Sequence, residues 1–280
     1  MLVLLPPSEG KTPAPDGAAP VDLGSLSSPA LTAHRAQVLD ALAAASARPD
    51  AHAVLGTTPG LSDEVRRNTV LRTAPAGTAA DVYTGVLYGA ADLGGALASG
   101  GEAARRARED VRVVSALWGA LSPADRVPAY RLSMAVDLPG IGRLATAWRP
   151  HLGPVLDERA AGDVVVDGRS ATYVGAWKPA VSGPRSADWV AVRVVREHAG
   201  KRTVVSHNAK HTRGVLAGHL LRREAAPPSS AAGLLDAAGE LVDTVIGTEV
   251  GTGLSYRLIE ATLHDATTRS GPRTLELVIA

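Results

Sequence analysis

The sequence contains no cysteine, no phenylalanine and only two methionines. Without cysteine there is no disulfide, no thiol nucleophile and no thiolate metal site, so any catalysis falls to Ser, Thr, Lys, Tyr, His or carboxylates. Also lacking is any run near the roughly 20 unbroken apolar residues that cross a bilayer as a helix. Met1-Leu2-Val3-Leu4-Leu5 has no basic flank and runs straight into Pro6-Pro7, which reads as the buried first strand of a cytoplasmic protein with no membrane partner. A net charge of only +1 argues against a dedicated non-specific polyanion binder while leaving room for a local basic patch. No HExxH or compact carboxylate pattern accompanies His207 and His211, four apart, so no metal site is assigned and the cofactor stays unassigned.

What is present suits a globular chain. The 280 residues, 45% hydrophobic and 20% charged, suit one large domain or two small ones. Apolar runs at Leu2–Leu5, Val111–Ser115, Val164–Val166 and Leu275–Ala280 predict buried strands. Trp189–Glu197 and Arg202–Ser206 predict an antiparallel hairpin. Ser28-Pro29 predicts a capped helix start ending near Ala47, and Glu102–Asp110 a charged helix. Ile141–Ala160 predicts a helix broken or kinked near Pro150 and Pro154.

Charge is unevenly spread. Between Arg196 and Arg223 seven cations stand against Glu197 alone, whereas from Glu224 onward eight acids outnumber three arginines. Inside the basic stretch, Val204-Val205 reads as a strand end and Val215, Leu216, His219 and Leu220 recur at helical spacing. Ser206 to Arg213 therefore forms a strand-to-helix turn, whose unpaired amides, with Lys210 and Arg213 three apart, suit an anion.

Other strand ends carry similar chemistry. Leu2–Leu5 leads to Ser8, Glu9, Lys11 and Thr12. A phosphate-loop reading of Gly10-Lys11-Thr12 fails, because Leu5 stands where a glycine is required and Pro13 and Pro15 forbid the following helix. Val111–Ser115 leads to Trp118, Asp125, Arg126, Tyr130 and Arg131, and Val164–Val166 to Asp167, Arg169, Ser170, Tyr173, Trp177 and Lys178. Five of the nine aromatics, Tyr83, Trp118, Tyr130, Tyr173 and Trp177, lie in such polar clusters, as a pocket that stacks a base or sugar requires. Aligned strand ends predict that these clusters meet at one concavity. Residues 51–68 have the layout of a helix-hairpin-helix element around Pro59-Gly60, although Asp63 and Glu64 repel DNA and favour a plain helix pair.

Taken together, Leu4-Leu-Pro-Pro-Ser-Glu-Gly-Lys-Thr12, Asp81-Val-Tyr-Thr-Gly85, Ser115-Ala-Leu-Trp-Gly-Ala-Leu121 with Pro128-Ala-Tyr-Arg-Leu132, Asp167-Gly-Arg-Ser-Ala-Thr-Tyr173 and Ala209-Lys-His-Thr-Arg-Gly214 resemble the YaaA family, also known as DUF328 or UPF0246, of peroxide stress response proteins. The resemblance covers most of the chain. It implies a single mixed α/β domain over 1–280, of unusual topology, with surrounding helices and a basic cleft, DNA binding, and a role in limiting oxidative damage by restraining iron. Enterobacterial members differ in the first and last motifs, which leaves Lys11, Lys210 and Arg213 as the firmest carry-overs.

Three functions compete. In the first, a cleft lined by Lys11, Arg126, Arg131, Lys178, Lys210 and Arg213 binds duplex or junction DNA. In the second, the same pocket is an enzyme site for a nucleobase, nucleoside or nucleotide. There Lys11, Tyr83, Asp81 and Asp167 are the catalytic candidates, with Ser8, Thr12, Trp118, Tyr130, Arg131, Ser170, Tyr173 and Ser206 binding the ligand. In the third, the protein binds iron directly. The oligomeric state is not legible in the sequence.

Overall fold

In the computed structural model, residues 1–205, 207–248 and 253–280 are described. Nine strands form one mixed sheet. In chain order they are β1 (Leu2–Leu5), β2 (Val111–Ser115), β3 (Gly119–Leu121), β4 (Val164–Asp167), β5 (Asp188–His198), β6 (Lys201–Val204), β7 (Val245–Thr248), β8 (Ser255–His264) and β9 (Arg273–Ile279). The spatial order is β7-β8-β9-β5-β4-β1-β2-β3, with β6 added to β5. The strands β9, β5, β4, β1 and β2 run parallel to one another, while the pairs β7–β8, β8–β9, β2–β3 and β5–β6 are antiparallel. The unbroken apolar runs of β1 and β4 are buried along their whole length, as central parallel strands covered on both faces must be.

The helices are α1 (Thr32–Ser46), α2 (Ala51–Leu55), α3 (Ser62–Arg67), α4 (Ala79–Val82), α5 (Val86–Ala91), α6 (Leu93–Ala98), α7 (Gly101–Glu109), α8 (Leu144–Ala160), α9 (Ala171–Val174), α10 (His207–Arg222) and α11 (Ala231–Gly239). On one side, α10 lays Arg213, Leu216 and Ala217 over Val3, Leu5, Val166 and Val192 of the sheet. Elsewhere α8 buries Trp148, whose indole N–H donates to the Ala116 carbonyl at 2.8 Å. Trp148 fits only because Gly119, at φ +69°, has no side chain; a Cβ there would stand 2.6 Å from its ring.

Two local expectations are corrected. Ser28 does not cap α1: it sits at φ 60° before a short 3-10 turn, Pro29–Leu31, and its side chain makes no capping bond. The helix over Pro150 and Pro154 is continuous from Leu144 to Ala160. The carbonyls those prolines leave without a helical N–H belong to Thr146 and Pro150, both on the exposed side of the helix. The helices α4 and α5 are parted by extended Tyr83 and by Gly85 at φ +119°.

Glycine sets the closest helix crossing. A Cβ on Gly214 would meet the Leu87 carbonyl oxygen at 2.2 Å, and one on Gly218 would meet that of Ala91 at 2.8 Å. Those backbone contacts fix α10 against α5. In an open helix interior, Gly→Ala stabilises by about 1 kcal/mol. Here Gly214→Ala should instead destabilise by about 1–3 kcal/mol through overpacking, read as a lower urea midpoint.

Candidate functional site

Three of the sequence clusters follow β1, β2 and β4, which are parallel neighbours and so end at one edge of the sheet. The fourth arrives by another route. Asp167, the last residue of β4, pairs with Ala191, but β5 continues to His198 beyond that edge. The returning strand β6 pairs Lys201 with His198 and Val204 with Val195, so it lies wholly in the overhang and delivers α10 back toward the edge. Ser206 lies outside the described residues.

At this edge the loop after β1 is stitched to the α4–α5 junction. The Tyr88 hydroxyl donates to the Pro6 carbonyl at 2.7 Å, Lys11 pairs with Tyr83 as an isolated antiparallel bridge, and the Thr12 N–H donates to the Val82 carbonyl at 2.9 Å. The extended conformation that ends α4 at Tyr83 frees the backbone groups for this pairing. The Lys11 ammonium then donates to the Ser8 carbonyl at 2.7 Å and lies 4.3 Å from the centre of the Tyr130 ring and 5.6 Å from that of Tyr83.

Beneath Lys11 runs a chain of buried hydroxyls. Ser115 Oγ accepts from the amides of Leu117 and Trp118 at 3.2 and 3.0 Å, which uses both its lone pairs. Its proton must therefore go to Tyr130 Oη, 2.6 Å away, and Tyr130 in turn donates to Tyr83 Oη at 2.9 Å. Burial holds both phenols well above their ordinary pKa, so they remain donors. Tyr173 is likewise pushed up to about 12 by burial, and it lies within electrostatic reach of Glu9 and Arg131. Lys11 moves the other way: burial first, then Arg131, brings it to about 7 against the pull of Glu9.

Arg131 is positioned by a residue with no obvious signal in the sequence. Asn68, fully buried, accepts from the Arg131 N–H at 2.8 Å and donates to its carbonyl at 2.9 Å. The 51–68 segment, which is α2, a 3-10 turn at Pro59–Leu61 and α3, thus supports the Tyr130-Arg131 loop through its last residue. Its Asp63 pairs with Arg66 on the surface. Arg35 was equally silent: buried, it donates to the carbonyls of Ser27, Trp118 and Ala120, each at 2.8 Å, and burial lowers it to about 10.

The remaining candidates divide. Lys11, Tyr83, Tyr130, Arg131 and Tyr173 come together, with Ser8 supplying a carbonyl and Thr12 facing Thr84 across 3.5 Å. Ser170 is exposed at the start of α9, where its carbonyl accepts from the Tyr173 and Val174 amides. Lys210 is exposed on the first turn of α10, and Lys178 is exposed at a cleft of about 400 Å³ with Arg149, Asp157 and Trp177.

Others are consumed by the scaffold. Asp167 takes a bidentate bond from Arg169 at 2.8 and 2.7 Å and the Trp189 indole N–H at 3.0 Å, leaving no oxygen for acid–base work. Asp81 is exposed and accepts the Thr78 hydroxyl at 2.5 Å. Trp118 is fully buried. Arg213 donates twice to the Val192 carbonyl, at 3.0 and 2.8 Å, and Arg126 once to that of Ala76, at 2.5 Å. With Tyr83 and Tyr130 only 1% and 2% exposed, and Lys11 lying over the Tyr130 ring, neither tyrosine offers a face for stacking a base.

Two arginines of the basic stretch, Arg202 and Arg223, pair with acids of the tail, and Arg222 pairs elsewhere. Arg202 pairs with Glu197, Glu260 and Glu276, Arg223 and His219 with Glu240, and Arg222 with Asp92. For metals, α10 is continuous from His207, placing His207 and His211 one turn apart. Among the described residues no group of three or more His, Asp or Glu side chains is arranged to hold an ion.

A family model described as "Peroxide stress protein YaaA" matches residues 1–238. The UPF0246 protein of Streptomyces coelicolor is 48% identical over 233 residues, 82% of this chain and 86% of the relative. Those of Corynebacterium efficiens and Corynebacterium glutamicum are 38% and 36% identical over 248 and 251 residues, each 87% of this chain and 95% of the relative.

The state of Lys11 has a thermodynamic signature. A pKa of about 7 in the folded chain against an ordinary 10.5 means that the unfolded chain binds more protons between those values. The stability Lys11 contributes is therefore complete above about 10.5 and is lost as pH falls toward about 7. Urea midpoints of the wild type and Lys11→Met across that window should diverge with rising pH, the wild type gaining. A constant difference would mean that the amine is not desolvated.

Proposed function

Because this chain belongs to the peroxide stress protein YaaA family, we propose that it acts in peroxide stress by binding DNA along the carboxyl edge of its sheet and so helps limit iron-dependent oxidative damage. One observation carries this proposal. Of the cations at or near that edge, Lys178 and Lys210 are exposed and have no ion-pair partner among the described residues, whereas Arg169, Arg202 and Arg213 are spent internally. Unpaired ammonium groups that neutralise phosphates release the cations condensed on DNA, which drives association. Arg149 and Trp177 beside Lys178 extend the surface, and Arg131 adds a cation near Tyr173.

Duplex and junction affinity should be read by fluorescence anisotropy over a salt series. Each lost phosphate contact lowers the slope of log affinity against log salt by about 0.9. Lys178→Ala with Lys210→Ala should therefore flatten the slope by about 1.8 and weaken all sequences alike. Unchanged affinity and slope would rule out this edge as the DNA surface.

A further inference from the structure

The chain has four lysines, Lys11, Lys178, Lys201 and Lys210, of which only Lys11 is not exposed on the surface. Its amine is enclosed by the Tyr130 and Tyr83 rings, the Ser8 carbonyl and the Arg131 side chain. The nearby carboxylate, Glu9, lies 3.9 Å from Arg131. DNA binding by charge alone has no use for this arrangement, because a phosphate contact requires a protonated, solvent-facing ammonium. A desolvated amine beside a like charge is instead the environment that makes lysine a nucleophile. At a pKa of about 7 a large share of Lys11 is uncharged near neutral pH.

We propose that Lys11 is a catalytic amine that condenses with an aldehyde, and that its substrate class is the ring-opened sugar of a base-less nucleotide in DNA. This rests on the DNA-binding function proposed above. The substrate class follows from the site's shape and charge. An amine nucleophile requires a carbonyl carbon, the neighbouring cations suit the flanking phosphates, and the buried tyrosine faces offer no platform for a base. A sugar without its base needs none.

The step balances without an oxidant. The Lys11 nitrogen lone pair forms a bond to the aldehyde carbon as the C=O π pair moves to oxygen. That oxygen gains a proton and the nitrogen loses one, giving a carbinolamine. Protonation of the carbinolamine hydroxyl releases water and leaves a protonated imine on Lys11. That proton comes from solvent water, since burial makes the Tyr83 phenol a poor acid; the chain from Ser115 through Tyr130 to Tyr83 instead holds the two rings against the amine.

The test uses the full chain and a duplex with one base-less site, in the presence of cyanoborohydride, which reduces an imine to a stable secondary amine. A covalent protein–DNA adduct should form, peptide mapping should place it on Lys11, and Lys11→Arg should reduce it to the background seen without reductant. Adduct yield should rise with pH through a midpoint near 7. The groups around the amine that bear on this midpoint are Arg131, Glu9, Tyr83, Tyr130 and Tyr173, and Arg131→Gln should shift it upward. An adduct on Lys178, Lys201 or Lys210, or none, overturns the proposal. Anisotropy on the same duplex without reductant separates the two claims: binding without an adduct sinks only the amine chemistry, whereas no binding also sinks the DNA-binding function. Mapping on the wild type keeps the test decisive if Lys11→Arg folds poorly.

Discussion

The shared direction of β9, β5, β4, β1 and β2 is the constraint on which the rest of the molecule depends. Parallel strands must end on one side, so the loops after β1, β2 and β4 meet there although they follow residues as distant as Leu5, Ser115 and Asp167. The site follows from two further stitches: the pairing of Lys11 with Tyr83, and the grip of Asn68 on Arg131. Neither uses a charged side chain. Each therefore holds its geometry independently of pH and salt, while Lys11 stays free to titrate.

Electrostatics in the fold differ from electrostatics along the chain. Read linearly, 196–223 is a basic block and the tail an acidic one. Folding brings the tail strands β8 and β9 beside β5 and its hairpin partner β6, so Glu260 and Glu276 meet Arg202, and α11 is followed by Glu240, which takes Arg223. Exposed pairs of this kind contribute little stability. Their larger effect is to cancel field over the flank where the basic hairpin and the tail strands meet.

Much of the fold was legible because it rests on short-range pattern. The buried runs at Leu2–Leu5 and Val164–Val166 are strands, the 189–204 hairpin forms, and the charged helix falls at Gly101–Glu109. The sequence also drew attention to Lys11, Tyr83, Tyr130 and Arg131, because aromatic and basic residues after strands are conspicuous. It was silent on Asn68 and Arg35, whose roles depend on carbonyls 63 to 85 residues away. It could not show the internal partners of Asp167 and Arg213 for a related reason: residue type announces charge, but only the fold reveals which charges already have partners. The strand β8, with little apolar alternation, took its place by pairing with β9.

Arg213 illustrates what a split sheet edge requires. On β5, pairing to β4 ends at Ala191 and pairing to β6 begins at Val195, and Val192 lies in the gap between them. The Arg213 guanidinium bonds the Val192 carbonyl there, doing with a side chain what a neighbouring strand does elsewhere. A cation used in this way is masonry rather than ligand. Removing it would open a seam in the sheet, and any accompanying loss of DNA affinity would report damaged architecture instead of a lost phosphate contact.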